Sequence, residues 1–368
     1  MTRLCFITGA PRSGTSLLIN LLGQHQEVRA RSQPAPLLPV GLKAEFLKSA
    51  RPRHWPDTYP LADQQFASFT PPEAFTEFLQ SSVPARDFWT HWLDAMVGYS
   101  GQYTAPQTPR AGLGALENRR AIEALAAYIQ WAAEPEAATS VIAWKEVFGE
   151  ELLPAWLAEG HTGILVIRDP RDSINSQLTG RGEDYAGASR PLLYLCRQWR
   201  KSALYALALE AQGRFHHLRY EDLVKRPTLT LKSLSGLDYP ENPKPGSWDT
   251  NSSFEEFHDV STSSIGRHRQ HMREPVARFI DALCFEEMTA LGYTPDISAN
   301  QREAILRSHP FETDPPERTE MRAYQWTPER LSEELERLAQ CRHGGPARAP
   351  EGFIFPNLVT PRPTVEAT

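Results

Sequence analysis

The chain has 368 residues, 40% of them apolar, and 39 basic against 45 acidic residues give it a formal net charge of −6. That is enough apolar content for a substantial core in one large or two ordinary domains. The mild acidity excludes a global basic footprint for nucleic acid, so any anion site must be local.

The first element is also the most informative. In "FITGAPRSGTSLLINLL", residues 6–22, a short apolar run ends at Ile7, Gly9 to Ser16 supply turn and hydroxyl chemistry, and Leu17, Leu18, Leu21 and Leu22 recur at helical spacing. A helix that opens behind a glycine-containing loop turns unpaired N–H groups and its positive dipole end toward one point, which suits an anion such as phosphate. Gly9 and Gly14 have the spacing of a phosphate-binding G-x-x-x-x-G-K-[ST] loop, but Thr15 stands where that motif has lysine, and the nearby cation is Arg12. This argues against an ordinary kinase. The plainer alternative is a strand-to-helix turn whose hydroxyls only cap the helix. Because the first strand begins by residue 3, no signal peptide is expected, and no run approaches the roughly 18 apolar residues of a membrane span. A cytoplasmic protein is the expectation.

Residues 30–115 differ in composition. Proline recurs and aromatics are dense, among them Phe46, Trp55, Tyr59, Phe66, Phe69, Phe75, Phe88, Trp89 and Trp92. We read this stretch as a mainly helical insertion over a sheet, either packed as a small core of its own or lining an acceptor pocket. Beyond it, β-type runs at 140–144, 163–168 and 214–220 alternate with helical patterns at 117–133 and 192–211. Such alternation predicts an α/β fold with a mostly parallel sheet flanked by helices. Cys5, Cys196, Cys284 and Cys341 are far apart and form no C-x-x-C pair, which fits buried thiols of a reducing compartment rather than a disulfide frame or a metal site. After about residue 295 the chain is proline-rich, with one helix expected at 327–341 and a last dozen or so residues lacking the pattern of a packed element.

The second clue is "VIRDPRDSINSQ", residues 166–177. Arg168 ends an apolar strand, Pro170 turns the chain, and Ser176 follows eight residues later on the next helix. At the carboxyl edge of a parallel sheet, an arginine fork and a helix hydroxyl can close on one phosphate; the alternative is a surface turn built by Asp169 and Arg171.

Taken together, "PRSGTS" (Pro11 to Ser16) and Arg168 with Ser176 resemble the sulfotransferases that use 3′-phosphoadenosine 5′-phosphosulfate (PAPS). "RYEDLVKRP" (219–227) and "SSIGRHR" (263–269) are similar to later motifs of that family, and "AWKEVFG" (143–149) resembles a lysine-bearing segment of its tyrosylprotein and many bacterial members. The resemblance implies a P-loop-like fold and a 5′-phosphosulfate loop formed by Arg12, Ser13, Gly14, Thr15 and Ser16. It implies a 3′-phosphate site at Arg168 and Ser176, Tyr220 beside the adenine, and further contacts from Ser264, Gly266 and Arg267. Arg12 and Lys145 inherit the catalytic roles, with PAPS as co-substrate and no metal. The acceptor is expected to be a small or carrier-bound molecule with a hydroxyl or amine, and no nucleic acid or membrane partner is expected. Residues 1–295 form the expected sulfotransferase domain and 296–368 a C-terminal extension.

In one respect the chain departs from the pattern. Relatives bring a glutamate to the acceptor hydroxyl, but here the matching segment reads Ser32, Gln33 and Pro34, and glutamine is no base. Glu45, His54 and His91 of the insertion, which is the expected source, and Glu146 are the candidates to replace it, unless the acceptor is acidic enough to need little help. A small-molecule kinase of P-loop type and a nucleotide-binding relative without turnover are the alternative functions.

Overall fold

The computed structural model describes residues 2–50, 72–99, 104–179, 190–241, 260–314, 322 and 324–342. His54, Trp55, Tyr59, Phe66, Phe69 and the last dozen residues lie outside that set, as does the side chain of Cys341.

Five strands form one all-parallel sheet in the order β2-β3-β1-β4-β5: β1 (Arg3–Thr8), β2 (Val28–Ser32), β3 (Val141–Lys145), β4 (Thr162–Ile167) and β5 (Phe215–Arg219). The central strands β1, β3 and β4 are apolar on both faces, as a sheet covered on both sides requires. Since side chains alternate along a strand, Cys5, Ile7, Val141, Ala143, Ile164 and Val166 face one layer and Leu4, Phe6, Ile142, Trp144, Leu165 and Ile167 the other. β2 corrects the reading of residues 30–115, whose first three residues belong to a sheet strand. Its composition hid it: "VRARS" has a single large apolar residue, and an edge strand needs no more.

Helix α1 (Thr15–Leu22) packs on the first layer, and most other helices pack on the second. There α2 (Leu38–Ala50), α3 (Pro72–Ser81), α4 (Arg86–Met96) and α5 (Ala121–Ala133) follow β2 in chain order. Phe46, Phe75 and Trp89 are buried in the same continuous core as Trp144 and Trp156, so these aromatics pack the main core rather than a separate small one. After β3 comes α6 (Leu153–Ala158), and after β4 come α7 (Pro170–Leu178) and α8 (Leu192–Leu209). α9 (Tyr220–Lys225) and α10 (Pro227–Ser235) return to the α1 side. The last helices among the described residues are α11 (Glu274–Ala290), α12 (Arg302–Ser308) and α13 (Pro328–Arg342).

The expected extension after residue 295 has described residues well inside that core: Ile297, Ile305, Leu306, Tyr324, Trp326 and Leu338 all join it. α13 is clamped by buried charge. Arg197 on α8 donates to Glu334 at 3.0 Å, Arg337 to the other Glu334 oxygen at 2.8 Å, and Arg200 to Glu287 at 2.9 Å. Cys5, Cys196 and Cys284 are buried and form no disulfide. No helix among the described residues is long and apolar enough to cross a membrane.

From β1 the chain crosses β3 to reach β2 with α1 on one face, whereas from β4 it moves outward to β5 with α7 and α8 on the other. The connections therefore diverge between the carboxyl ends of β1 and β4, and ligands of open α/β sheets bind at such a switch point.

Candidate active site

The loop from Gly9 to Gly14 leaves β1 at that switch point. Its crest needs unusual backbone: Arg12 has φ 66° and Gly14 φ 102°. Gly14 is required on a second ground, since a Cβ there would lie 2.3 Å from Cδ2 of Tyr220. α1 opens directly behind it, so its first N–H groups face the mouth of the loop. The hydroxyl of Ser13 is buried and has no hydrogen-bond partner among the described residues, the condition expected of a group waiting for a ligand oxygen.

Arg168, just past β4, sits across the crevice. One terminal nitrogen donates to the Arg12 carbonyl at 3.2 Å and the other to the Ser264 carbonyl at 2.7 Å, while the guanidinium lies 4.6 Å above the Tyr220 ring. Its Nε has no partner among the described residues. A guanidinium has five N–H bonds, so donors remain for an anion. Ser176 is buried on α7, and its hydroxyl accepts from Nε of Arg12 at 3.0 Å. The two arginines and the serine singled out in sequence thus meet. Arg12, however, reaches toward Ser176, the residue matched to the 3′-phosphate, as well as heading the first loop.

Tyr220 follows β5 and opens α9; its hydroxyl is 2.8 Å from that of Ser264. Gly266 has φ 74°, and Arg267 folds back to donate to the Ser263 carbonyl at 3.0 Å. The loop around them is tied to α7 by Asp172, which sequence reasoning missed although it lies between Arg168 and Ser176, one helical turn before the latter. Also missed were Ser173, whose hydroxyl donates to the Pro11 carbonyl at 3.0 Å, and Glu221, which accepts the Asp169 N–H at 3.0 Å and the Tyr293 hydroxyl at 2.9 Å. The second D of "RDPRD" and the E of "RYED" were the available signals. Arg171, by contrast, does build a turn with Asp169 and a further ion pair with Asp296 at 2.8 Å.

A second group stands at the carboxyl end of β3, on the other side of the loop. Lys145 Nζ donates to the Ser16 hydroxyl at 3.1 Å and to Gln33 Oε1 at 3.4 Å. The side-chain amide of Gln33 in turn donates to the Glu146 carboxylate, which also accepts the Ala35 N–H at 3.3 Å. Gln33 itself is held at φ 51° by an N–H bond to the Lys145 carbonyl at 2.8 Å. Lys145 and Glu146 are both buried. Burial pulls the Lys145 ammonium below its ordinary range, partly opposed by the Glu146 charge, and pushes the Glu146 carboxyl well above its own, partly opposed by Lys145. The other base candidates are placed differently: Glu45 is half-buried on α2, and the exposed His91 sits against the Trp92 ring on α4. Among the described residues no cluster of three or more His, Cys, Asp or Glu side chains is arranged to hold a metal ion.

The arrangement gathers two groups of donors at the switch point: loop amides, Ser13, Ser16 and Lys145 on one side, Arg168, Arg12 and Ser176 on the other. Two of the solved structures that are similar to the chain are sulfotransferase domains. The sulfotransferase domain of the Synechococcus PCC 7002 olefin synthase is 19% identical, with a TM-score of 0.47 over 79% of this chain and 94% of that one. The sulfotransferase domain from the curacin biosynthetic pathway is 18% identical, with a TM-score of 0.46 over 80% and 99%. No curated protein matches the sequence. Residues 5–114, which hold the whole β1 loop and the Gln33 turn, match the model of the sulfotransferase family, and it is this family that the chain resembles.

Proposed function

We propose that the protein is a sulfotransferase that moves a sulfonyl group from PAPS to a hydroxyl or amine of a small or carrier-bound acceptor. The observation that carries this reading is the meeting of Arg12, Arg168 and Ser176 across the crevice from Lys145 and Ser16, two cationic clusters on either side of one helix start. A donor with phosphates at both its 3′ and 5′ positions has anionic groups for both. The residues fit it chemically, since Ser13 Oγ and Arg168 Nε are buried polar atoms in need of acceptors or donors. Free thiols on Cys5, Cys196 and Cys284 suit the reducing cytoplasm.

The donor supplies an activated sulfonyl group. As the acceptor oxygen bonds to sulfur, the bridging S–O bond breaks and its electron pair goes to the phosphate. Lys145, Arg12 and the amides at the start of α1 neutralise that charge without needing to move. Arginine at position 12 only donates hydrogen bonds, whereas Lys145, made more acidic by burial, is able to pass a proton to the leaving oxygen. The acceptor's own proton goes to Glu146. Its support is its bond to Gln33, the residue standing where relatives carry glutamate, and a raised pKa that suits a base working near neutrality.

Calorimetry with adenosine 3′,5′-bisphosphate and adenosine 5′-phosphate tests the donor. The bisphosphate should bind far more tightly in the absence of metal. Equal affinities, or tight binding of ATP that requires magnesium, would overturn the reading. A panel of phenol, alcohol and amine acceptors with labelled PAPS then tests turnover.

A further inference from the structure

Asp172 on α7 contacts neither phosphate cluster directly, yet it holds one of them in shape. Its carboxylate is almost fully buried, and Oδ2 accepts the Gly266 N–H at 2.6 Å. Oδ1 accepts the His268 N–H at 2.9 Å and faces His268 Nδ1 at 2.8 Å. All these donors come from one three-residue segment, bent through the left-handed Gly266. Two residues before it, the Ser264 carbonyl receives Arg168 and the Ser264 hydroxyl meets Tyr220. Asp172 also lies four residues after Arg168, which precedes α7, and four before Ser176, one turn away on α7. A continuous path of hydrogen bonds therefore runs from α7 through Asp172 and the 264–268 segment back to the Arg168 guanidinium.

Other carboxylates near the crevice have no such position. Glu221 ties the Asp169 N–H to Tyr293, and Asp169 is spent on Arg171. The charge of Asp172 is sustained by its surroundings: burial alone would raise its carboxyl, but the His268 bonds, the Arg168 charge and the Gly266 N–H hold it below the ordinary range. The net charge of a buried anion next to a phosphate pocket repels the ligand, and neutral N–H donors do not cancel it; the neighbouring Arg168 charge offsets it.

We propose that Asp172 is a positioning residue that gives this site its preference for a nucleotide with a second, 3′ phosphate, by pinning the 264–268 segment so that Ser264 orients Arg168. The inference rests on the reading that Arg168 and Ser176 receive that phosphate. It goes beyond that reading in assigning the selectivity to a carboxylate that need not touch the ligand.

The test is binding of adenosine 3′,5′-bisphosphate and of adenosine 5′-phosphate to the full chain and to Asp172→Asn. The amide keeps the shape but must turn an N–H toward the segment's own N–H donors. The bisphosphate dissociation constant should rise about tenfold or more, the loss of one charge-assisted contact, while that of the 5′-phosphate stays within about threefold. His268→Gln, which leaves both main-chain bonds to Asp172 in place, should show a smaller loss confined to the bisphosphate, and it serves where Asp172→Asn fails to fold. Equal weakening of both nucleotides would make Asp172 merely structural, and an unchanged preference would overturn the proposal outright. A wild-type protein with no preference would overturn the functional reading itself, and is recognised before any variant is made.

Discussion

At residue scale the two faces of the β1 loop should respond differently to substitution. Lys145→Met removes an ammonium whose interactions strengthen as charge develops on the leaving oxygen, so turnover should fall about 10²-fold while the spent donor binds within a few-fold of wild type. Single-turnover kinetics set against calorimetry separates the two, and normal turnover would reduce Lys145 to a structural partner of Ser16. Arg168→Ala, by contrast, should weaken adenosine 3′,5′-bisphosphate by about 10- to 100-fold, because a charge-assisted partner is lost from the ground state. For Glu146 the signal is the pH profile. Burial raises its carboxyl, so the base form appears only above the ordinary carboxylate range, and activity should climb with pH there. Glu146→Gln should abolish that limb and lower the rate about 10²- to 10⁴-fold. Gln33→Glu sets a second carboxylate beside the first. A gain with alcohol acceptors would show that position 33 still faces the reacting hydroxyl.

At the scale of elements, the loop after β1 is a steric fit between β1 and the turn after β5. Gly14 has a positive φ and Tyr220 Cδ2 stands 2.3 Å from where a Cβ would be. Gly14→Ala must therefore displace the Tyr220 ring, and with it the ring's contacts to Arg168 and Ser264. Nucleotide affinity should drop by at least about tenfold and stability by more than about 1 kcal/mol, since alanine is strained at positive φ. Tyr220→Ala in the same chain should relieve part of the stability loss but not the affinity loss. Chemical denaturation and calorimetry on the two variants and their combination measure this coupling.

Over the whole molecule, stability at low pH should depend on the clamp that joins α13 to α8 and α11. The Glu334 carboxyl is fully buried. Burial would raise it, but Arg337, Arg197 and Arg200 outweigh that and hold it at about 2 against an ordinary 4.5. A folded-state pKa below the unfolded one adds stability that is complete above about 4.5 and is lost as pH falls from there toward 2. Glu334→Gln should flatten that part of the curve of melting temperature against pH. Glu334→Ala should cost about 3–5 kcal/mol at neutral pH, because it strands buried arginines. A variant whose stability matches wild type would show that α13 contributes little to the fold, against the burial of its Leu338 in the core.

Local pattern alone marked much of this protein. The strand-loop-helix of β1 and α1, four of the five strands and the long helices at 121–133, 192–209 and 328–342 were legible because each has a strong period within one segment. β2 escaped, since an edge strand with one large apolar residue has little period to detect. Other features depended on residues far apart in the chain. Arg12 and Ser176 are 164 residues apart and Lys145 and Ser16 are 129, and no spacing rule spans such gaps. The choice of Glu146 over Glu45 or His91 could not be read from residue type, because all three are able to accept a proton. Our proposal of Glu146 rests on its burial beside Lys145 and Gln33, and burial is a property of the packed sheet edge. Asp172 is the same kind of case: an aspartate in a D-P-R-D turn reads as a surface cap until the loop 94 residues later folds onto it.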